Sequence, residues 1–374
     1  MQCSDCRKDL ENDAEFCYFC GAILTGKEIL LPAPEEIAEL GMPFEGSGNL
    51  CDKGVPAFDL LKLPAGVTYL RMLRGHTSWI GRIAWSQDGR LIASPSDDAT
   101  VRVWDAKGGK CLHVLIGHRG SVCAAAFDYE SRIIATAGND HTLRFWSAST
   151  GRLIHTVETQ TVNYCVAFDP KGRVLATAGE GGVRLWEPDG ELVATLEQRQ
   201  HSFFPSAAFD HEGELIACAS SDECIYLFEF PSCQLLTKFT DHDSPVNWVD
   251  FSVQDDQLIS ASADKTLMLW DLREDRLVRK FEGHTGEAYY ASFARTSNLI
   301  ASKGGDSVRL WNPEDGACVA ISGGSCGVWL PGLSFHPTKN LLATVGSAPG
   351  IPERTKQCDR VIHIWELEGS LFAS

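Results

Sequence analysis

The 374-residue sequence has little of several features that define common protein classes. No window reaches the roughly 18 uninterrupted apolar residues that a membrane-spanning helix needs. The N-terminal run MQCSDCRKDL lacks the basic and then apolar pattern of a signal peptide, so we expect an intracellular, cytoplasmic protein without membrane association. Fourteen cysteines are too dilute for a disulfide framework, and in the cytoplasm most of them should stay reduced.

Positive charge is also scarce, because 33 Lys and Arg residues face 50 Asp and Glu residues and leave a net charge of −17. Phosphate backbones and anionic membranes repel such a protein, which disfavours nucleic acid as a partner. The sequence has no phosphate-binding Walker loop, dinucleotide glycine fingerprint, His-Glu-x-x-His helix or nucleophile elbow. These absences argue against an enzyme.

What the sequence does contain is a repeat of 41 or 42 residues. An aromatic residue follows a short apolar alternation once per unit, at Trp85, Phe127, Phe168, Phe209, Phe251, Phe293 and Phe335. A second series trails the first by 18 or 19 residues, and by 30 in the last unit: Trp104, Trp146, Trp186, Phe228, Trp270, Trp311 and Trp365. Each unit has four short β-type runs, so the pattern predicts an all-β, seven-bladed propeller of four-stranded antiparallel blades over residues 65–374.

The first unit also reads Gly75-His76 and ends in Trp104-Asp105, and these residues resemble the WD-repeat family over about residues 66–374. The resemblance implies a buried hydrogen-bond chain in each blade, from a turn Asp to a His, a Ser or Thr, and the Trp indole. Carried over by position, the four complete sets are His76, Ser94, Asp98 and Trp104; His118, Thr136, Asp140 and Trp146; His242, Ser260, Asp264 and Trp270; and His284, Ser302, Asp306 and Trp311. We interpret them as structural, because a catalytic triad is needed once and this set recurs.

Three units depart from that pattern. The third has no Gly-His and has Gly181-Gly182 where the turn Asp is expected, and the seventh has no Gly-His. The fourth has Cys218 and Phe228 in place of the hydroxyl and the Trp, so it depends more on apolar packing.

Ring closure can also be predicted. Residues Val67–Leu73 lie where the outer strand of a blade precedes the first unit, yet no blade of their own precedes them. We expect this strand to complete the outer edge of blade seven, which leaves no open sheet edge. The C-terminal tail, Ser370–Ala373, is the alternative source of that strand.

Residues 1–24 contain the spacing CxxC-x10-CxxC, followed by a Pro- and Gly-rich linker over 25–64. Two such knuckles place four thiolates tetrahedrally around one ion, so we expect a small zinc ribbon with one structural Zn²⁺ held by Cys3, Cys6, Cys17 and Cys20. A pair of redox-active CxxC sites is the alternative. The segment carries a net charge of −3 before the metal site is counted, so a structural or protein-facing role is favoured over nucleic-acid binding.

The leading interpretation is a non-catalytic scaffold that binds a protein or peptide on one propeller face. The resemblance implies that this face includes Trp79, Asp97, Arg119, Phe203, Asp243, Glu287 and Trp329. Trp79 and Trp329 would form an aromatic anchor, unless both simply fill the channel mouth, and the acidic residues suggest a partner with a basic segment. Two alternatives stay open: a nucleic-acid-associated factor that acts through the ribbon, and an enzyme that uses Asp97, Asp243 and Glu287 in the channel.

The zinc hypothesis predicts one zinc ion per chain in the reduced protein, measured by elemental analysis. Replacing all four ligands with Ser should remove it, whereas Cys51→Ser, outside the paired spacing, should not. Protein that contains no zinc before the substitutions, or retains zinc after them, would contradict the site.

Overall fold

The structure, a computed structural model, describes residues 65–196, 203–323, 332–346 and 360–368. The predicted zinc ribbon, the linker, Trp329 and the tail lie outside the described residues. In the described part of the chain, no helix has the length and apolar character that crossing a bilayer requires.

The described residues form 28 strands. In chain order they are β1 (Val67–Arg74), β2 (Ala84–Trp85), β3 (Leu91–Pro95), β4 (Thr100–Asp105), β5 (Cys111–Ile116), β6 (Val122–Phe127), β7 (Ile133–Gly138), β8 (Thr142–Ser147), β9 (Leu153–Glu158), β10 (Asn163–Phe168), β11 (Leu175–Gly179), β12 (Gly182–Trp186), β13 (Leu192–Thr195), β14 (Ser206–Phe209), β15 (Leu215–Ala219), β16 (Ile225–Glu229), β17 (Leu235–Phe239), β18 (Val246–Phe251), β19 (Gln257–Ser262), β20 (Leu267–Asp271), β21 (Arg276–Phe281), β22 (Ala288–Phe293), β23 (Ile300–Gly304), β24 (Ser307–Trp311), β25 (Cys318–Gly323), β26 (Leu333–Phe335), β27 (Leu341–Val345) and β28 (Val361–Leu367).

These strands form seven four-stranded antiparallel sheets, which confirms the all-β, seven-bladed propeller. Blades one to six each use four consecutive strands, from β2–β5 to β22–β25, and blade seven has the order β1-β28-β27-β26. The first strand of a blade lines the central channel and the last lies at the outer edge, as propeller geometry requires.

The apolar pattern explains the position of each strand. The second strands are buried on both faces, as Ile92 and Ala93 of β3 are, because a neighbouring blade covers each face. The outer strands are only partly buried, and β9 leaves Leu153 and Ile154 exposed. One apolar cluster contains Trp104 of blade one together with Ile364 of blade seven, so the core is shared between blades.

The closing strand lies where the sequence predicts it. β1 pairs antiparallel with β28, from Val67 opposite Leu367 to Arg74 opposite Val361, which confirms closure by the N-terminal strand. Leu73 is 1% exposed and packs in the cluster that joins blades seven and one. In the alternative arrangement the C-terminal tail would pair with this edge of β28. The structure has β1 at that edge.

Deleting residues 1–73 should damage folding far more than deleting residues 1–63. Only the longer deletion removes β1, which exposes the edge of β28 and removes the buried Leu73 side chain. The lost leucine packing alone is worth about 2–5 kcal/mol. Thermal melts and soluble yield of the two shortened proteins measure the difference, and equal melting temperatures would contradict closure by β1.

Candidate functional site

The repeated polar residues form a continuous hydrogen-bond chain in blade two. His118 Nδ1 lies 2.9 Å from Asp140 Oδ2, and His118 Nε2 lies 2.8 Å from Thr136 Oγ1. The Trp146 indole N–H donates to the same hydroxyl at 2.9 Å. Because an ionised carboxylate only accepts, His118 Nδ1 donates to Asp140, and in the neutral ring Nε2 accepts the Thr136 hydroxyl proton.

The same arrangement recurs in blades one, five and six, where each His bridges a turn Asp and a Ser whose hydroxyl accepts from the Trp indole. Its His–Asp distances are 2.8, 2.7 and 2.6 Å, in His76–Asp98, His242–Asp264 and His284–Asp306. Its indole–hydroxyl distances are 2.8, 2.9 and 2.8 Å, in Trp104–Ser94, Trp270–Ser260 and Trp311–Ser302. The structure thus brings all sixteen predicted network residues together in four sets of four. Each set satisfies groups that would otherwise be buried without a partner.

The turn carboxylates are stabilised in their ionised form. Burial alone would raise the pKa of Asp140, but hydrogen bonds from His118, the Arg119 backbone N–H and Thr142 outweigh burial and hold this pKa well below the ordinary value of 3.8. The same balance lowers the pKa of Asp98, Asp264 and Asp306. Since these pKa values are lower in the folded than in the unfolded chain, the networks stabilise the fold above about pH 4, and that contribution is lost as the pH falls towards the folded values.

The glycine of the Gly-His pair has a steric reason. A Cβ atom on Gly117 would lie 2.8 Å from Arg144 Nη1 and 3.1 Å from the Trp146 ring. Gly75 faces Arg102 and Trp104 at the same two distances. In these two blades a side chain before the histidine would crowd the arginine and the tryptophan of the third strand, whereas blade five has Asp241 before His242 and still forms its network.

The departing blades retain part of the network. In blades three and seven the Trp indole still donates to a threonine, Trp186 to Thr177 at 2.9 Å and Trp365 to Thr344 at 2.8 Å. Sequence analysis did not select these threonines, although they occupy the hydroxyl position of the repeat.

Blade seven has a different buried histidine. The ring of His363 is 1% exposed, and its Nε2 lies 2.8 Å from the Gly346 carbonyl oxygen. Burial lowers the pKa of His363 to about 4, so its ring is neutral at physiological pH.

Six of the seven residues predicted to bind a partner are described, and they lie in the loops that join adjacent blades or precede the third strand of a blade. Trp79 is 50% exposed, and its carbonyl accepts the Asp97 N–H at 2.9 Å. Arg119, Asp243 and Glu287 are exposed and Phe203 is half-buried. Trp329 lies outside the described residues, so the contact predicted between it and Trp79 stays a prediction.

A pocket opens at the channel mouth on this face. Its lining residues are Arg82, Tyr164, Phe203, Pro205, Asn247, Glu287 and Tyr289. Only Phe203 and Glu287 belong to the predicted set. Phe203 packs edge-to-face on Tyr164, with ring centroids 4.9 Å apart.

Irregularities in the inner strands build this pocket. The register shifts between Asn163 and Cys165 in β10, and comparable shifts interrupt β18 and β22. The residues at the shifts are Tyr164, Asn247 and Tyr289. A bulge re-aims the side chain of its extra residue, and these three side chains line the pocket.

The floor of the pocket is an arginine that crosses the channel. Arg82 of blade one donates from Nη1 to the Pro205 carbonyl of blade four at 2.6 Å, and its guanidinium lies 4.6 Å from the centroid of the Trp248 ring of blade five. The Trp248 ring stacks in turn on Tyr290 of blade six, with ring centroids 4.0 Å apart. These side chains separate the pocket from the rest of the channel.

Sequence analysis missed Arg82, but the sequence holds a signal for it. Arg82 lies three residues before the first aromatic series, a position that is Ala124, Cys165, Ser206, Trp248, Tyr290 and Gly332 in the other units. Large side chains, those of Arg82, Trp248 and Tyr290, therefore occupy three of the seven equivalent positions, and small residues occupy the other four.

The family described as "WD domain, G-beta repeat", or WD40, matches residues 67–105, 109–147, 151–187 and 233–271. The matched segments cover less than half of the chain; within them the chain contains WD40 repeats, and the seven sheets form a seven-bladed propeller.

Curated relatives match over shorter segments. The chain is 46% identical over 43 residues to a "Probable E3 ubiquitin ligase complex SCF subunit sconB" of Arthroderma otae, which is 12% of this chain and 6% of that protein. It is 48% identical over 42 residues to "Nucleoporin Nup37" of Drosophila melanogaster, or 11% and 13% of the two chains. It is 30% identical over 107 residues to "WD repeat-containing protein VIP3" of Arabidopsis thaliana, or 25% and 33%. The matches thus span a third or less of these relatives.

The hydrogen-bond chain of blade two predicts that His118→Ala lowers the free energy of unfolding by about 2–3 kcal/mol, because it leaves buried Thr136 and Asp140 without their shared partner. The matched control is His141→Asn, an exposed histidine of the same blade whose positive φ of 59° suits asparagine. Chemical denaturation measures both variants. Stability of His118→Ala within about 0.5 kcal/mol of the control would contradict a structural role for the network.

Proposed function

We propose that this protein is a non-catalytic scaffold that binds a protein or peptide on the propeller face around the channel mouth. WD40 propellers typically bind proteins and are generally non-catalytic, and the WD40 repeats of this chain support that class of function. We choose this face because Trp79, beside the blade-one network, is 50% exposed. Exposed aromatic residues at a rim are typical binding anchors.

Charge supports a partner with a basic segment. Asp97, Asp243 and Glu287 are exposed carboxylates in the loops of this face, and Asp97 also accepts a hydrogen bond from Ser121 of the adjacent blade. Complementary charge speeds association and is screened by salt. Capture of the partner should therefore weaken as the salt concentration rises.

The enzyme alternative has less support from the geometry. Of the three carboxylates it invokes, Glu287 lines the channel-mouth pocket, whereas Asp97 and Asp243 lie outside its described lining. The Ser, His and Asp residues that form a triad-like set have buried hydroxyls, each already accepting from a Trp indole. The hydroxyls of these four sets are therefore not accessible nucleophiles.

For the N-terminal segment we propose a structural zinc ribbon at Cys3, Cys6, Cys17 and Cys20, and for the protein as a whole an intracellular, cytoplasmic location. Both proposals rest on the sequence alone. The ribbon's acidic charge favours a role in folding or protein contact over nucleic-acid binding.

Replacing Trp79 with Ala, alone or with Trp329→Ala, should weaken partner capture by about 2 kcal/mol or more, or about thirtyfold in affinity. The measurement is affinity purification with quantitative mass spectrometry, checked by thermal melts, since an exposed side chain can be removed without loss of the fold.

Tyr129→Ala is the matched control, because Tyr129 is a 64% exposed aromatic residue in the turn between the first two strands of blade two, at the opposite end of the sheet. Proteins lost by the Trp79 variant and retained by the Tyr129 variant are the expected partners. If the well-folded Trp79 variants retain every partner of the parent, this face is not the binding surface.

A further inference from the structure

We propose that the floor of the channel-mouth pocket, formed by Arg82, binds a carboxylate group of the partner. The inference rests on the proposed function, because it names the chemistry that a peptide on this face would insert into the channel. The carboxylate is either an Asp or Glu side chain or the C-terminus of the partner chain.

The first observation is a buried arginine with no counterion among the described residues. Arg82 is 8% exposed, and its described polar side-chain contact is the neutral Pro205 carbonyl, supplemented by the Trp248 ring face. Among the described residues, no Asp or Glu oxygen lies within 4.0 Å of its guanidinium nitrogens. Asp250 belongs to the same region, but Ser292 donates to it at 2.7 Å and Arg295 lies 4.0 Å from it. A buried charge is costly unless it is paired, so an anion that reached Arg82 would be favoured over a neutral group.

The second observation is a surplus of donors beside Arg82. The indole nitrogen of Trp248, the residue on which the Arg82 guanidinium lies, is buried and has no hydrogen-bond partner in the described structure. Trp248 is not among the residues that line the pocket, so a bound carboxylate would meet the Arg82 donors and not this indole. Arg82 can donate five hydrogen bonds, and a single described acceptor, the Pro205 carbonyl, takes one. A group that only accepts would therefore complete the floor.

The walls of the pocket add further donors. Burial raises the pKa of Tyr164, so its phenol keeps its proton. Burial, the Glu287 charge and a hydrogen bond to Glu287 raise the pKa of Tyr289, so the Tyr289 proton is already engaged by Glu287. Asn247 uses one amide N–H on the Ala288 carbonyl at 2.9 Å, which leaves the other. The guanidinium fork matches the two oxygens of a carboxylate.

A basic side chain fits this floor poorly, because it would bring a second cation next to an unpaired one. Glu287 at the rim nevertheless favours positive charge, as do Asp97 and Asp243 around it. Both preferences are met by a peptide whose carboxylate enters the channel while basic neighbours stay at the exposed rim. The proposed partner segment is therefore of mixed charge, with the acidic group deepest.

The test uses the full-length protein and pairs of short blocked peptides that differ in one carboxylate. The first pair is acetyl-Lys-Glu-Lys-amide and its Gln counterpart, and the second is acetyl-Lys-Lys-Gly with a free C-terminus and its amide. Affinities come from NMR titration, with the indole N–H resonance of Trp248 as the local reporter. The two pairs distinguish a side-chain carboxylate from a C-terminal one.

At least one carboxylate peptide should bind about tenfold to a hundredfold tighter than its neutral counterpart, the range expected for hydrogen bonds to a charged group. Arg82→Met should abolish that preference, while Arg90→Met, which removes an exposed cation from the turn between β2 and β3 of the same blade, should retain it. Equal affinities within both pairs, or no binding by any peptide, would overturn the inference.

The comparison within each peptide pair uses the unaltered protein, so it decides the matter even if Arg82→Met does not fold. Failure of the carboxylate inference is also distinguishable from failure of the proposed function. If Trp79→Ala loses partners while the peptides show no preference for the carboxylate, then the face binds a protein without using Arg82 in this way.

Discussion

The constraint on which this structure depends is that the ring of blades must close. Each blade buries its faces only against its neighbours, as the cluster that joins Trp104 to Ile364 illustrates, so an open ring would leave two blades half-covered. The chain meets this constraint by pairing its first described strand with its last, β1 with β28. Closure thus links residues that are 300 positions apart, Val67 and Leu367, and gives blade seven its fourth strand.

Where a blade departs from the repeat pattern, the donor and the acceptor of a buried hydrogen bond are either both kept or both replaced. Blades three and seven retain an acceptor for the Trp indole, Thr177 and Thr344. Blade four replaces the Trp and the hydroxyl together, with Phe228 and Cys218, so neither a donor nor an acceptor is left unpaired. Its turn residue Asp222 instead accepts the hydroxyl of Tyr226 at 2.6 Å. Loss of both partners costs little, whereas loss of one leaves a buried polar group without a hydrogen bond.

The fold and the four networks could be predicted from the sequence because both follow the repeat period, which fixes the register of every strand. The channel could not, because its contents depend on how seven inner strands face one another. Arg82 meets Pro205, 123 residues away, in a contact that no local pattern indicates. Tyr164, Asn247 and Tyr289 reach the mouth because each strand shifts register there, and strand alternation by itself does not reveal such a shift.

The channel is also where sevenfold repetition gives way to a single site. If all seven equivalent positions carried small residues, the channel would be open and offer the same contacts in every direction. Arg82, Trp248 and Tyr290 instead fill one part of it, and Ala124, Cys165 and Gly332 leave space in the rest. Among the described residues this part of the channel is therefore asymmetric, and its floor carries the charge of Arg82, so a ligand that contacts Arg82 would have one preferred orientation around the ring.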